Sequence, residues 1–283
     1  MNGKRAGNYR RWLSWMAIMP LLAVALLARG YWNATRDPII RTASVKVAKW
    51  PEGVKPLKIL LLSDIHVAGP DMPPSRLERL VEQFNELTPD LILIAGDLVS
   101  QKRLATRFYS ASEAVAPLAG LKAPLGVIVS PGNHDHWFDS DALRNELEAI
   151  GLTVLRNEAV ARGPLAIGGV DDDFTGHDDL AQTFDSLDKL SDRPRILLTH
   201  SPDIVPALPS AVAAVFAGHT HCGQIILPLV GAISYVSRYN DRFSCGDIND
   251  RGQRVFVAAG LGTSILPLRF GALPDAWLVT LSP

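Results

Sequence analysis

The sequence predicts an α/β protein of two packed sheets flanked by helices, preceded by an apolar helix at the N-terminus. Three observations lead there. Residues 57–62, broken only by Lys58, and residues 91–95 are apolar runs of strand length, the pattern of strands buried on both faces. Apolar residues at helical spacing lie between them, as a strand–loop–helix unit requires. An uncharged stretch, residues 12–28, follows Lys4, Arg5, Arg10 and Arg11.

The elements follow in order. Residues 1–11 are a basic segment and residues 12–32 a transmembrane anchor or signal-anchor. At about 1.5 Å per residue the uncharged helix spans roughly 25 Å, enough to cross a bilayer core. Trp12, Trp15, Tyr31 and Trp32 bracket it like interfacial anchors. A cleaved signal peptide competes with this, through Ala23-Val24-Ala25, but that site lies inside the apolar run. Arg10-Arg11 hints at a twin-arginine signal, yet the residues after it match poorly. A buried core helix is disfavoured by the terminal position and basic flanks. Residues 33–54 read as a linker and first strand, with 43–47 alternating as strands do.

Residues 55–283 read as one domain. After the first buried strand, Ser75 and Glu78 suggest a capping box, and Leu77, Leu80, Val81, Phe84 and Leu87 recur at helical spacing. Residues 111–121 are a further helix and 126–130 a third strand. Leu143, Leu147 and Ile150 mark a helix that Gly151 can end. The second half is richer in strands, at 165–170, 195–198, 213–216, 224–227, 254–258 and 277–281. A helix through Leu180, Phe184, Leu187 and Leu190 interrupts them.

The chain has 283 residues, enough to bury a sizeable core. With 28 basic and 29 acidic residues the net charge is −1, which argues against a nucleic-acid partner. Cys222 and Cys245 form no C-x-x-C pair, so neither a disulfide framework nor a thiolate zinc site is expected.

The polar residues carry the functional signal. Apolar strands run into Ser63-Asp64-Ile65-His66, Gly96-Asp97, Gly132-Asn133-His134-Asp135, Thr199-His200 and Gly218-His219-Thr220-His221. Sites in α/β sheets form beyond the carboxyl ends of strands. Five strand ends thus deliver carboxylates, imidazoles and an amide towards one crevice. These donors suit divalent transition metals, and they exceed the need of a single tetrahedral ion. A single His is more often solvated or packed than a ligand. Here five of the seven histidines fall in these motifs, and only His136 and His177 are left to a surface role.

This ordered set resembles the calcineurin-like metallophosphoesterase superfamily, from about residue 55 to the C-terminus. The anchor, Gly218-His219-Thr220-His221-Cys222-Gly223-Gln224 and Gly260-Leu261-Gly262-Thr263-Ser264 with Arg269 resemble its bacterial membrane-associated branch. Some relatives there hydrolyse the pyrophosphate of UDP-2,3-diacylglucosamine. The resemblance implies a four-layer α/β/β/α sandwich and two divalent cations (Mn, Zn or Fe). Asp64, His66 and His221 would hold one ion, Asn133, His200 and His219 the other, and Asp97 would bridge them. His134 would act beside the metals as general acid or phosphate contact. It also implies hydrolysis of a phosphodiester or pyrophosphate by a metal-bridging hydroxide, on a small phosphorylated substrate, lipid-linked in the branch just named. The location implied is the bacterial inner membrane, single-pass.

Protein Ser/Thr phosphatases of the superfamily carry a second Asp that orients the catalytic His. Ser100 stands there in this chain, followed by Gln101, which argues against a protein phosphatase and leaves the orienting group open. Arg238, Arg242 and Arg269 are candidates for phosphate contact, and Arg269 is the one assigned to substrate. Asp171-Asp172-Asp173 reads as a turn rather than a further metal site, and Cys222 as small buried packing. Two other functions stay open: a non-catalytic metal-binding scaffold, and a soluble-nucleotide phosphodiesterase.

Overall fold

The computed structural model describes residues 3–190, 192–209 and 212–283, with side chains of the first helix described from Ile18 onward. Helix α1 (Gly3–Thr35) leads into β1 (Ile39–Lys46) and β2 (Leu57–Ser63). There follow α2 (Pro74–Glu86), β3 (Leu91–Ala95), α3 (Ala111–Val115), β4 (Val127–Ser130), α4 (Asn133–Phe138) and α5 (Ser140–Ala149). Short strands β5 (Thr153–Val154) and β6 (Glu158–Arg162) precede β7 (Leu165–Gly169), α6 (Leu180–Asp188), β8 (Arg195–Leu198) and β9 (Ala214–Ala217). The chain ends with β10 (Ile226–Leu227), β11 (Gly231–Ala232), β12 (Gly246–Asp250), β13 (Gln253–Val257) and β14 (Asp275–Ser282).

One six-stranded sheet has the order β1-β14-β2-β3-β4-β5 and the other β12-β13-β9-β8-β7-β6; β10 and β11 form a separate ribbon. Both sheets mix parallel and antiparallel pairs. β2, β3 and β4 run parallel, while β14 is antiparallel to β2. Alternation along β2 explains why its sequence is apolar on both faces from Ile59 to Leu62. Ile59 and Leu61 enter the core between the sheets, where they meet Ile167, Leu198 and Phe216. Leu60 and Leu62 face the other way, onto Leu77, Leu80 and Phe84 of α2. A third cluster packs Leu197 and Val257 of the second sheet against Leu187 of α6. The layers are therefore helix, sheet, sheet, helix.

Local differences from the sequence reading have local causes. α2 starts at Pro74 with Pro73 as its N-cap and no side-chain cap, so Ser75 and Glu78 form no capping box. Proline at the first helical position needs no cap for its missing N–H. The capping box belongs instead to Ser110 and Glu113 at the start of α3. That helix tightens to a 3-10 turn over Ala116–Gly120, where Pro117 interrupts α-helical bonding. The strand read at 43–47 starts earlier: β1 pairs with β14 along its whole length, from Ile39 opposite Asp275 to Lys46 opposite Ser282.

The expected anchor lies in α1, with residues 12–17 outside the described side chains. Among the described residues, no helix is long and apolar enough to cross a membrane. From Ile18 to Leu27, α1 exposes Ile18, Met19, Leu21, Leu22, Val24 and Leu27.

Candidate metal centre

The five motifs converge. β2, β3 and β4 end side by side in one sheet, β8 and β9 in the facing one, and the loops beyond them close a single cleft of about 460 Å³. The backbone there is unusual. Asp64, His66, Asp97, His219 and His221 all have positive φ, between 47° and 70°. Non-glycine residues adopt this left-handed region rarely, at a cost on the order of 1–3 kcal/mol each. Five such residues in one place mean that the surrounding structure holds these side chains in a set arrangement. Glycine makes room for them. A Cβ on Gly96 would lie 2.6 Å from the Gly132 amide nitrogen and 2.7 Å from Nδ1 of His200.

Asp64, His66 and His221 form one group whose ligand atoms lie within 4.8 Å of each other. Nε2 of His221 is 3.0 Å from Nε2 of His66 and 3.4 Å from Asp64 Oδ1. On the other side, Nε2 of His200 is 3.1 Å from Asn133 Oδ1 and 3.0 Å from Nδ1 of His219. Asp97 stands between: its Oδ2 is 3.4 Å from His66 Nε2 and 3.3 Å from His200 Nε2. All seven residues are buried. Two of the rings are fixed from behind. His66 Nδ1–H donates to the Val99 carbonyl and His200 Nδ1–H to the Ala95 carbonyl, which turns each Nε2 inward.

This donor set fits two cations. Burial holds the pKa of His66 and His221 well below the imidazole range, and that of His219 at about 3, so these rings present neutral nitrogens. Burial raises Asp64 to about 7. Burial works against His200 too, but the Asp97 carboxylate outweighs it and holds that imidazole protonated. Asp97 itself stays well below the carboxylate range, because His200 and its neighbours overcome its desolvation. The cluster thus demands positive charge at its centre, supplied by a proton on His200 or by metal ions.

His134 borders the same cleft. Its ring meets His66 edge-on at 4.7 Å and Trp137 at 4.9 Å. Its amide donates to Asp97 Oδ1 at 2.8 Å. His134 also belongs to a second ligand-spaced group with His66 and Asp97. The group that orients it is Gln101: His134 Nδ1 bonds Gln101 Oε1, and Gln101 Nε2 donates to the His134 carbonyl at 3.1 Å. A lone amide on an exposed loop carries no signal in a sequence. Asp135 has a structural part. Its carboxylate accepts from the amides of Leu98 and Gly132, tying the loop after β3 to the loop after β4.

Three sequence readings are corrected. Arg269 does not face the cleft. It is wholly buried, with its guanidinium bonded to the carbonyls of Ala259, Gly260, Gly262 and Ala272 and 3.3 Å from His221 Nδ1. It braces His221 from behind. Cys222 and Cys245 are joined in a disulfide, their Cα atoms 4.8 Å apart. The loop between them folds back so that the start of β12 meets the turn after His221, which sequence separation alone does not reveal. His136 is not a solvated surface residue: its side chain is nearly buried, its Nε2 lies 2.7 Å from Asp171 Oδ1, and its ring stacks on His177 at 3.9 Å. The aspartate run is a turn, with Asp172 accepting from Thr175 and Asp173 pairing with Arg238. Arg242 pairs with Asp250.

Comparison with known proteins bears on the same residues. The calcineurin-like phosphoesterase profile matches residues 57–223, the stretch that carries the five strand-end motifs. A Bacillus subtilis protein, "Uncharacterized metallophosphoesterase YkuE", is 34% identical over 92% of this chain and 93% of its own length. A zebrafish (Danio rerio) protein, "Transmembrane protein with metallophosphoesterase domain", is 30% identical over 94% of this chain, which spans 62% of that protein. An "Uncharacterized metallophosphoesterase" of Helicobacter pylori strain J99 is 30% identical over 90% of this chain and 67% of its own length.

Proposed function

Because the chain belongs to the calcineurin-like phosphoesterase family, a family of divalent-metal-dependent phosphoester hydrolases, we propose that it hydrolyses a phosphodiester or pyrophosphate bond at a two-cation centre. Asp64, His66 and His221 would hold one ion and Asn133, His200 and His219 the other, with Asp97 placed between the two groups. The observation that carries this is the place of Asp97 Oδ2, almost equidistant from His66 Nε2 and His200 Nε2. Bound there, two cations supply charge neutralisation at the phosphoryl oxygens and lower the pKa of a water. The chain's residues do the rest. Neutral imidazoles and two carboxylates fix the positions, and Arg269 keeps His221 aimed inward. His134, held by Gln101, meets the phosphoryl group and delivers a proton to the leaving oxygen. Trp137 and Phe174, both half exposed, rim the cleft between His134 and His219.

The substrate proposed is a small phosphorylated molecule, with a lipid-linked pyrophosphate such as UDP-2,3-diacylglucosamine the more specific version. Supporting it, one wall of the cleft is apolar, formed by Ile225, Ile233, Val236, Ile265 and Leu266. Residues 12–32 tether the domain, which begins with β1, to the bacterial inner membrane, a proposal supported by the exposed apolar residues of α1 and by a relative bearing the word "transmembrane" in its name. The Cys222–Cys245 disulfide favours an oxidising compartment, hence a catalytic domain on the outer side. The test is a substrate screen on protein loaded with Mn, Zn or Fe, comparing nucleotides, model diesters and lipid-linked pyrophosphates. Turnover with two ions bound per chain is the expected result. A protein that binds two ions yet hydrolyses nothing is the metal-binding scaffold instead.

A further inference from the structure

We propose that residues 225–236, the ribbon β10–β11 and its flanks, seat in the interface of the lipid bilayer on which α1 stands, so that the cleft opens at the membrane surface. This rests on the tether proposed above. From Ile225 to Val236 the chain has no charged side chain. Leu229 is fully exposed, Val230 is 76% and Ile233 66% exposed, and Ile265 beside them is 60% exposed. Scattered exposed apolar residues need no explanation, but a contiguous set does.

Two relations choose the occupant. First, the ribbon and the end of α1 are built on one shared segment. The Arg269 amide donates to the Gly30 carbonyl, and Asn33 Nδ2 to the Arg269 carbonyl. One residue on, the Phe270 amide donates to Gln224 and the Ile226 amide to Phe270. The exposed apolar residues of α1 and those of the ribbon therefore flank the same segment. That surface is not a stripe. The exposed residues Ile18, Met19, Leu21, Leu22, Val24, Leu26 and Leu27 fall all round the helix, which suits lipid rather than one protein groove. Trp32, 67% exposed, stands at the junction, where interfacial aromatics belong.

Second, sheet register places the junction at the metal end. β1 is parallel to β14, with Ile39 opposite Asp275, and β14 is antiparallel to β2, with Trp277 opposite Leu61. The start of β1, where α1 arrives, thus lies at the end of β2 that carries Asp64. The turn at residues 47–56 lies at the other end. Ile225, Ile233 and Val236 turn from the ribbon into the cleft wall, so the ribbon links the bilayer to the metal centre.

The test uses the full chain in phosphatidylethanolamine–phosphatidylglycerol vesicles carrying nitroxide on the lipid chains near the glycerol. An environment-sensitive fluorophore is attached at Leu229→Cys, or at Glu52→Cys as the far-end control. The expected result is several-fold stronger quenching at position 229 than at 52. A chain that floats with the vesicles but shows equal, weak quenching at both positions overturns this inference and leaves the tether standing. A chain that does not float overturns the tether, and the inference with it. Concentration-dependent self-quenching of the label at 229, with none from lipid, would assign the surface to a second copy and refute the bilayer as its occupant.

Discussion

Replacing Gln101 with Leu removes both bonds that hold His134 while leaving all seven proposed ligands in place. The structure sets the size of the effect. Gln101 is exposed, so water competes for each partner. A hydrogen bond between neutral groups in that setting is worth about 0.5–1.5 kcal/mol. If the Nδ1 bond alone aligns the ring in the transition state, kcat falls roughly 2- to 12-fold. It does not fall further, because the edge contacts with His66 and Trp137 still confine the ring. His134→Ala removes the group itself and should cost about 10²–10⁴ in kcat. The assay is hydrolysis of a chromogenic diester by metal-loaded protein, with metal content measured on the same sample. KM should stay near the wild-type value in Gln101→Leu, since the interaction matters when the leaving oxygen takes its proton. Gln101→Glu keeps an acceptor for Nδ1–H and favours the imidazolium, so it should restore kcat and extend activity to higher pH. Wild-type kcat in Gln101→Leu would refute the orienting role. Loss of metal in that variant would show that Gln101 shapes the ligand loops instead.

Other outcomes follow from the same geometry. Asp97→Ala should lose hydrolysis and be depleted of both ions by elemental analysis, because its Oδ2 lies between both ligand groups. Beside the centre, buried Lys102 bonds Asp71 at 2.7 Å, and Thr263 closes the triad. Lys102→Met strands a buried carboxylate, so stability should fall by about 3–5 kcal/mol, read as a drop of roughly 6–20 °C in Tm by calorimetry. Burial pushes Asp171 up, but hydrogen bonds from His136 and Arg156 outweigh it and hold its pKa below the usual value. Its stabilisation is therefore present above the unfolded carboxylate pKa and is lost as pH falls through the lower folded value. The Tm gap between wild type and Asp171→Asn should be widest above about pH 4 and close at lower pH.

Much of the centre was legible because its ligands sit on short segments directly after buried strands. A short run such as 59–62 fits a strand covered on both faces, which puts the polar residues after it at the sheet's end. What was not legible depends on partners far along the chain. The first half of β1 reads as linker because its exposed edge position tolerates Arg41 and Thr42, and only β14, more than two hundred residues on, gives it a sheet to join. A soluble version of the domain should therefore begin before Ile39; starting near Ala43 would remove half of that strand. β12 has the sequence Gly-Asp-Ile-Asn-Asp, the polar composition of an edge strand, and shows no apolar run. Arg269 misleads for a chemical reason. A guanidinium suits phosphate, but it equally suits a ring of backbone carbonyls, and a sequence does not show where carbonyls converge. The left-handed backbone at five of the ligands belongs to the same class of hidden feature. Asp64, His66, Asp97, His219 and His221 reach the cleft because loops from both sheets force them into strained conformations. A sequence spells the donors, but only the closed pair of sheets makes their strain tolerable, and with it the convergence of these side chains in one cleft.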